Sequence, residues 1–186
     1  GQLGVDGAKK ANPGRHDILL ASLLTSTTST VTAVTSAGRA LHVLAAELVD
    51  ASGRTRGGSA AQLFGTNKGE IIKTILTNSK EHLVLATESG VIKRLTTEEV
   101  QKTQNAKQVI NLKTGDRVVS AFCAPEKIDI GRTASDGQFL RMPVSSVSIQ
   151  GRGASGVAGM KLKNASVVVA AEAILGNDFV TPLFST

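Results

Sequence analysis

Apolar and polar residues alternate along this chain in short stretches, and the alternation breaks at glycine. Three stretches line up when their glycines are superposed: Thr35-Ser36-Ala37-Gly38-Arg39-Ala40-Leu41-His42, Thr87-Glu88-Ser89-Gly90-Val91-Ile92-Lys93-Arg94 and Ala134-Ser135-Asp136-Gly137-Gln138-Phe139-Leu140-Arg141. An alternating or apolar run precedes the first two glycines, at residues 31–35 and 83–86, with Ile128-Asp129-Ile130 as a weaker counterpart before the third. Small or polar residues lead into each glycine, and apolar residues resume after it. This pattern predicts three β-hairpins, each with a tight turn whose glycine supplies a positive φ.

The agreement extends downstream, so the hairpins belong to a repeat. Ten residues past each glycine stands an apolar residue, Leu48, Val100 or Val147, followed by a stretch rich in Gly, Arg, Lys, Gln and Asn at 53–58, 101–108 and 150–156. Residues 112–119 align without a gap on 162–169, and 63–72 align with a short insertion. Each unit is thus expected to close with a further strand pair around a turn. The glycines are 52 and 47 residues apart, a length that holds about four short strands. The predicted fold is all-β, a radial, propeller-like array of about four four-stranded blades forming a single domain over residues 1–186. Three units cover 31–80, 81–126 and 127–176, and the fourth combines 1–30 with 177–186, which places the last strand beside the first. Helical character is weak and confined to 45–49 and 97–101.

Composition removes several classes of function. The chain has no Tyr and no Trp, and its aromatic residues are Phe64, Phe122, Phe139, Phe179 and Phe184. A covalent tyrosyl intermediate and a Tyr/Trp platform for stacking single-stranded bases are both excluded. The single cysteine, Cys123, cannot form an internal disulfide, and its place in the apolar run 118–124 makes it a small core residue. No apolar run reaches the length of a membrane span; the longest, 167–175, is strand-length and interrupted by Glu172. A soluble, cytoplasmic protein with no membrane partner is expected.

No motif for catalysis, metal or cofactor survives inspection. Gly151-Arg152-Gly153-Ala154-Ser155-Gly156 has the form of a dinucleotide fingerprint, but that chemistry needs a helix opening at the last glycine. Here a glycine-interrupted, alternating stretch follows, within the repeat's own basic loop. His16, His42 and His82 are far apart, and His16-Asp17 has no accompanying nucleophile motif. Glu98-Glu99, after Thr96-Thr97, has the pattern of the acidic first turn of a short helix.

The basic residues do recur at repeat offsets. The net charge is +6, and residues 51–117 hold eleven basic against six acidic side chains. Four residues past the turn glycines stand His42, Arg94 and Arg141, and the long loops contribute Arg54 and Arg56, then Lys102 and Lys107, then Arg152. In a radial array, equal offsets put side chains at equivalent points of successive blades. Two readings follow. Arg39, Arg54, Arg56, Lys93, Arg94, Lys102, Lys107, Arg141 and Arg152 form a band that contacts the phosphates of duplex DNA, or they are the solvated loops of a propeller-like protein-interaction scaffold.

The order of segments resembles a known family. A strand, S-x-G-x-Φ-x-[KR], a loop with G-R-x-x-G, and L-x-x-G-D-x-V-V are carried here by Thr35 to Arg39 with 53–58, by Glu88 to Arg94 with 112–119, and by Ser135 to Arg141 with 150–159. This resembles the C-terminal β-pinwheel domain of the A subunits of bacterial type IIA topoisomerases, DNA gyrase and topoisomerase IV. The resemblance implies a spiral or ring of blades with double-stranded DNA bent around its basic edge. It also implies a non-catalytic accessory role, with two further partners: an ATPase partner subunit, and the catalytic core of the same subunit. The glycine-arginine box typical of gyrase is absent from the first unit, where Lys9-Lys10-Ala11-Asn12-Pro13-Gly14-Arg15 stands.

Overall fold

A computed structural model describes residues 25–48, 58–76 and 80–174. Its strands are β1 (Thr30–Thr35), β2 (Ala40–Leu44), β3 (Ile72–Leu76), β4 (His82–Thr87), β5 (Val91–Thr96), β6 (Val118–Ala124), β7 (Asp129–Ala134), β8 (Phe139–Pro143), β9 (Val157–Ala158) and β10 (Val168–Ile174). Two short helices, α1 (Ala60–Phe64) and α2 (Thr97–Gln101), interrupt them. Among the described residues these strands pair antiparallel, in three small sheets ordered β2-β1-β3, β6-β4-β5-β9 and β10-β7-β8, with one isolated parallel bridge between Arg94 and Ile149.

The three expected hairpins are present. Gly38, Gly90 and Gly137 turn them with φ of +71°, +89° and +83°, a region an L side chain adopts only with strain. In each blade the third strand pairs with the first strand of the hairpin: β3 with β1, β6 with β4, β10 with β7. A register shift lies in each of these pairings next to the turn, after Val34, Ala86 and Val168. The apolar alternation of the hairpins therefore faces two ways, toward the blade before and the blade after.

The closing strand pair departs from expectation. The two segments flanking the turn at Gly115 do not form a hairpin, because they join different blades. Before the turn, Ala106 donates its N–H to Ala40 O and Val109 its N–H to Gly38 O, on the edge of blade 1. After it, β6 pairs inside blade 2. The third unit repeats this: β9 pairs with β5 of blade 2, Gly159 and Met160 both donate to Gly90 O, and β10 then joins blade 3. The second and third units thus each supply three strands to their own blade and a capping strand to the one before it.

Two buried clusters show what this exchange achieves. Val34 and Ala40 of blade 1 pack with Leu83, Leu85 and Leu95 of blade 2, and the capping residues Val109 and Ile110 close the layer. Val84 and Ile92 of blade 2 pack with Ile130, Val144 and Val147 of the third unit. Hydrogen bonds stitch the same joints, from Val118 N–H to Ser36 O and from Val168 N–H to Glu88 O. Removing blade 2 would expose an apolar face of blade 1 and of blade 3, so the described blades depend on one another for burial.

The short helices are local events. Thr96 caps α2 by accepting from the Glu99 N–H, as the Thr-Thr-Glu-Glu pattern implies. The equivalent segments in the other units shrink to single 3-10 turns at Ala45–Glu47 and Val144–Ser146. α1 corrects the alignment of 63–72, since Leu63 is helical and only Ile72 starts a strand. Its signals were in the sequence: Ser59 caps its start and Gly65, at φ +66°, ends it in the left-handed region. Phe64 from this helix covers Val31, Ala33 and Leu41, the outer face of blade 1.

Candidate nucleic-acid interface

The loops at 101–108 and 150–156, each following a hairpin and its helical turn, come to lie side by side. Arg152 lines two shallow grooves there, one shared with Thr96, Glu98, Glu99 and Lys102, the other with Gln104, Lys107 and Gln108. Lys102, Lys107 and Arg152 are exposed, so three cations from two successive units meet on one surface. Lys102 is paired with Glu98 one turn earlier on α2, an ion pair in full contact with water. Such a pair is held weakly and its lysine can exchange the carboxylate for another anion.

The main chain beneath this surface is held firmly. Lys93 on β5 is fully buried, and its ammonium donates to Val109 O at 2.8 Å, Arg152 O at 2.9 Å and Ala154 O at 2.8 Å. Burial lowers its pKa to about 8. Glu99 Oε1 accepts from the Arg152 N–H at 2.9 Å, and Asn111 donates to Ala154 O. The loop is thus tied at both the N–H and the C=O of Arg152 while the guanidinium is left in solvent. Lys93 serves this surface from below, since its own protons are spent on three carbonyls.

The residues four past the turn glycines occupy equivalent points, as the repeat requires, but these points lie between units. His42 bonds Thr32 Oγ1 and Thr103 O, and its own N–H is bound by Asn105 Oδ1. Arg94, only 4% exposed, reaches His82, Glu126 and Val147 O. Both side chains fasten their blade to the following unit. Arg141, in blade 3, is exposed and pairs with Asp129 at 2.6 Å. Arg39 is half-buried and bound by Glu70, with Nε 2.9 Å from Oε1; Glu70 also accepts from Thr35 Oγ1 and Asn67 N–H. The Arg39 guanidinium, chiefly through hydrogen bonding, lowers the Glu70 pKa to about 2. Arg54 and Arg56 lie outside the described residues.

Of the nine cations, the structure brings Lys102, Lys107 and Arg152 together, leaves Arg141 exposed in blade 3, and uses Arg39, Lys93 and Arg94 inside the fold. Lys113 and Lys163 sit at equivalent exposed turns that offset reasoning from the hairpin glycines does not reach. The gap-free match of 112–119 on 162–169 was the signal that could have found them.

Other motifs of the sequence take structural places among the described residues. The glycine fingerprint at 151–156 runs into β9 and not into a helix. The Cys123 thiol is pushed up to about 11, first by burial and then by the charge of Glu81, which makes it unreactive at neutral pH. Among the described residues no group of His, Cys, Asp and Glu could hold a metal ion, and no helix is long and apolar enough to cross a membrane.

Comparison with known proteins agrees with this architecture. The family model for the DNA gyrase C-terminal domain, beta-propeller, matches residues 81–125 and 134–174. The DNA gyrase A subunit of Kosmotoga olearia is 29% identical over 185 residues, covering 96% of this chain and 22% of its own length. The DNA gyrase A subunit of Mycolicibacterium smegmatis is 30% identical over 165 residues, covering 85% of this chain and 20% of its own. The chain therefore spans about a fifth of these relatives. Among solved structures, the C-terminal domain of DNA topoisomerase IV superposes with a TM-score of 0.75 at 25% identity, over 82% of this chain and 49% of that one. Sequence and fold agree, and the chain belongs with the C-terminal β-pinwheel domains of gyrase A and topoisomerase IV subunits.

Proposed function

We propose that this domain binds and bends duplex DNA along its outer loops, through phosphates and without reading sequence. The observation that carries this is the meeting of Lys102, Lys107 and Arg152 on adjacent loops above a main chain pinned by Lys93 and Glu99. A pinned loop loses little freedom on binding, so its cations act on a phosphate at low entropic cost. Glycines 151 and 153 beside Arg152 allow a phosphate close approach to the backbone. By their sequence offset Arg54 and Arg56, which lie outside the described residues, are counted in the same band, and Arg141 is counted as its sixth cation. Neither described helix exceeds five residues, too short to read a major groove, which favours backbone contact over base contact.

In this reading the domain serves a cytoplasmic type IIA topoisomerase as an accessory part. It holds one DNA segment for the catalytic core of its own subunit, in company with an ATPase partner subunit. The test is the salt dependence of binding to a mixed-sequence duplex by fluorescence anisotropy. Six phosphate contacts give a slope of log K against log salt of about −5, from roughly −0.9 per phosphate. Changing Lys102, Lys107 and Arg152 together to Ala reduces that slope by about 2 to 3 and weakens all duplex sequences alike. A slope shallower than about −2 for the unaltered domain, or loss confined to one sequence, overturns the proposal.

A further inference from the structure

The two joints between the described blades are built from different chemistry. Five residues before the turn glycines stand Ala33, Leu85 and Arg132, at equivalent points of β1, β4 and β7. Leu85 is fully buried and packs with Val34, Ala40 and Ile110 in the joint between blades 1 and 2. Arg132 is only 1% exposed and reaches into the joint between blades 2 and 3. Its Nη1 occupies the space that Gly159 leaves open, since a Cβ on that glycine would lie 2.1 Å from it. A guanidinium thus stands where the preceding blade carries a leucine.

That guanidinium has little to bind. Its Nη2 lies 2.8 Å from the Met142 sulfur, a weak acceptor, while Nε and Nη1 have no hydrogen-bond partner among the described residues. Burial lowers its pKa below the ordinary guanidinium value. Lys93, on the other side of blade 2, is the contrast, because its buried ammonium spends its protons on three carbonyls. The remaining buried side-chain atoms without a partner among the described residues are Arg94 Nε and Gln150 Oε1, and they too lie where the third unit meets blade 2. The apolar seal is also thinner there, with six buried residues in its cluster against eleven between blades 1 and 2. A buried charge without an acceptor is held at a cost that is relieved when the faces part and water reaches it.

We propose that the joint between blades 2 and 3 is a hinge, at which blade 3 swings off blade 2 as a unit and brings Arg132 into solvent. Opening breaks the bond from Val168 N–H to Glu88 O and the bond from Ala171 N–H to Ser120 Oγ. Strands β7, β8 and β10 keep their pairing with one another, and β9 stays on blade 2, paired with β5. Of the exposed cations, Lys102, Lys107 and Arg152 remain with blades 1 and 2, whereas Arg141 moves with blade 3. The hinge therefore changes the curvature of the band proposed above to hold DNA. The hinge itself does not rest on that reading, and its test uses no DNA.

The test is amide hydrogen exchange in the complete chain, followed residue by residue by NMR. Val118 and Val168 occupy matching positions: the first donates across the joint between blades 1 and 2 to Ser36 O, the second across the joint between blades 2 and 3 to Glu88 O. The hinge makes Val168 exchange at least about tenfold faster than Val118, because the two amides report separate openings. This comparison needs no variant. Arg132→Met, which keeps an apolar stem and removes the unpaired nitrogens, slows exchange at Val168 and Ala171 several-fold and leaves Val118 as it was. Equal exchange at Val118 and Val168 in the unaltered chain overturns the proposal. So does a Val168 rate that Arg132→Met leaves unchanged, which would trace fast exchange to the position of blade 3 alone. A rate that the substitution raises overturns it as well, since the guanidinium would then be holding the joint shut.

Discussion

Replacing Lys93 by Met separates the buried ammonium from the stem that carries it. The methionine fills nearly the same apolar path and deletes three hydrogen bonds, to the carbonyls of Val109, Arg152 and Ala154. Their fates differ. Ala154 O retains the Asn111 N–H, and Arg152 is exposed, so its carbonyl can take a water. Val109 is fully buried, and its carbonyl is left unpaired at a cost of about 1–3 kcal/mol. Removing a buried charge offsets part of this, because the depressed pKa of Lys93 shows that its ammonium is itself held at a cost. The balance is a loss of about 1 kcal/mol, or roughly 2–4 °C in melting temperature for a domain of this size.

DNA affinity separates this account from a purely structural one. If Lys93 acts by fixing the Arg152 loop, Lys93→Met weakens duplex binding several-fold well below the melting temperature. In an Arg152→Ala background it then adds nothing. Thermal melts by circular dichroism, with anisotropy titrations on the four proteins of this cycle, give both numbers. A melting temperature within 1 °C of the parent, taking about 0.3 kcal/mol as negligible, would refute the three-carbonyl account. An undiminished affinity loss in the Arg152→Ala background would refute the link to the loop. The pH dependence carries a defined sign. Between about pH 8 and pH 10.5 the unfolded chain keeps the Lys93 proton that the folded chain has released, so this group's contribution to stability rises with pH across that window. The parent therefore gains on Lys93→Met as pH is raised from 8 to 10.5.

Further outcomes follow from the same geometry. Glu70→Gln breaks a largely buried pair with Arg39 and costs about 2–4 kcal/mol at neutral pH, measured by urea denaturation. Because the Glu70 pKa falls from about 4.5 to about 2 on folding, its stabilisation is complete above pH 4.5 and is lost as pH falls through 2, so the variant shows a flatter acid limb. Gly90→Ala forces positive φ on a side chain and drives its Cβ to 2.7 Å from Met160 O; a loss of about 2–3 kcal/mol is expected, and a loss below about 1 would mean that the cap is not seated there. Glu98→Gln frees Lys102 from its surface partner, raising duplex affinity at low salt while leaving the melting temperature unchanged.

The hairpins were legible in the sequence because their signals are local. A glycine at positive φ, flanked by alternation of period two, fixes turn and strands together, and Gly38, Gly90 and Gly137 all conform. Helix α2 was legible for the same reason, through Thr96 and the acidic pair after it. The capping exchange was not. Residues 108–119 look like one hairpin because both halves are strand-like and a glycine turn joins them; only the partners differ, and partner choice is a non-local property. The third unit states the rule more openly than the second, since its cap carries two glycines where that of the second carries Ala106 and Val109.

The cations show where offset reasoning fails and why. Equal offsets do mark equivalent places, but sequence does not tell whether a place lies on the rim or in the joint between units. His42 and Arg94 illustrate the joint, each bonded to the main chain of the unit that follows. Arg141 is the same position with no following unit among the described residues, and it is open to solvent. Its exposure thus reflects the lack of a following unit among the described residues as much as the residue itself. Rim and joint are told apart by what each loss does. Arg94→Ala disrupts a buried joint and lowers the melting temperature, whereas Arg141 is exposed and paired with Asp129 at the surface. Arg141→Ala therefore leaves the melting temperature nearly unchanged and lowers the salt slope of duplex binding by about 0.9. An unchanged slope would take Arg141 off the rim.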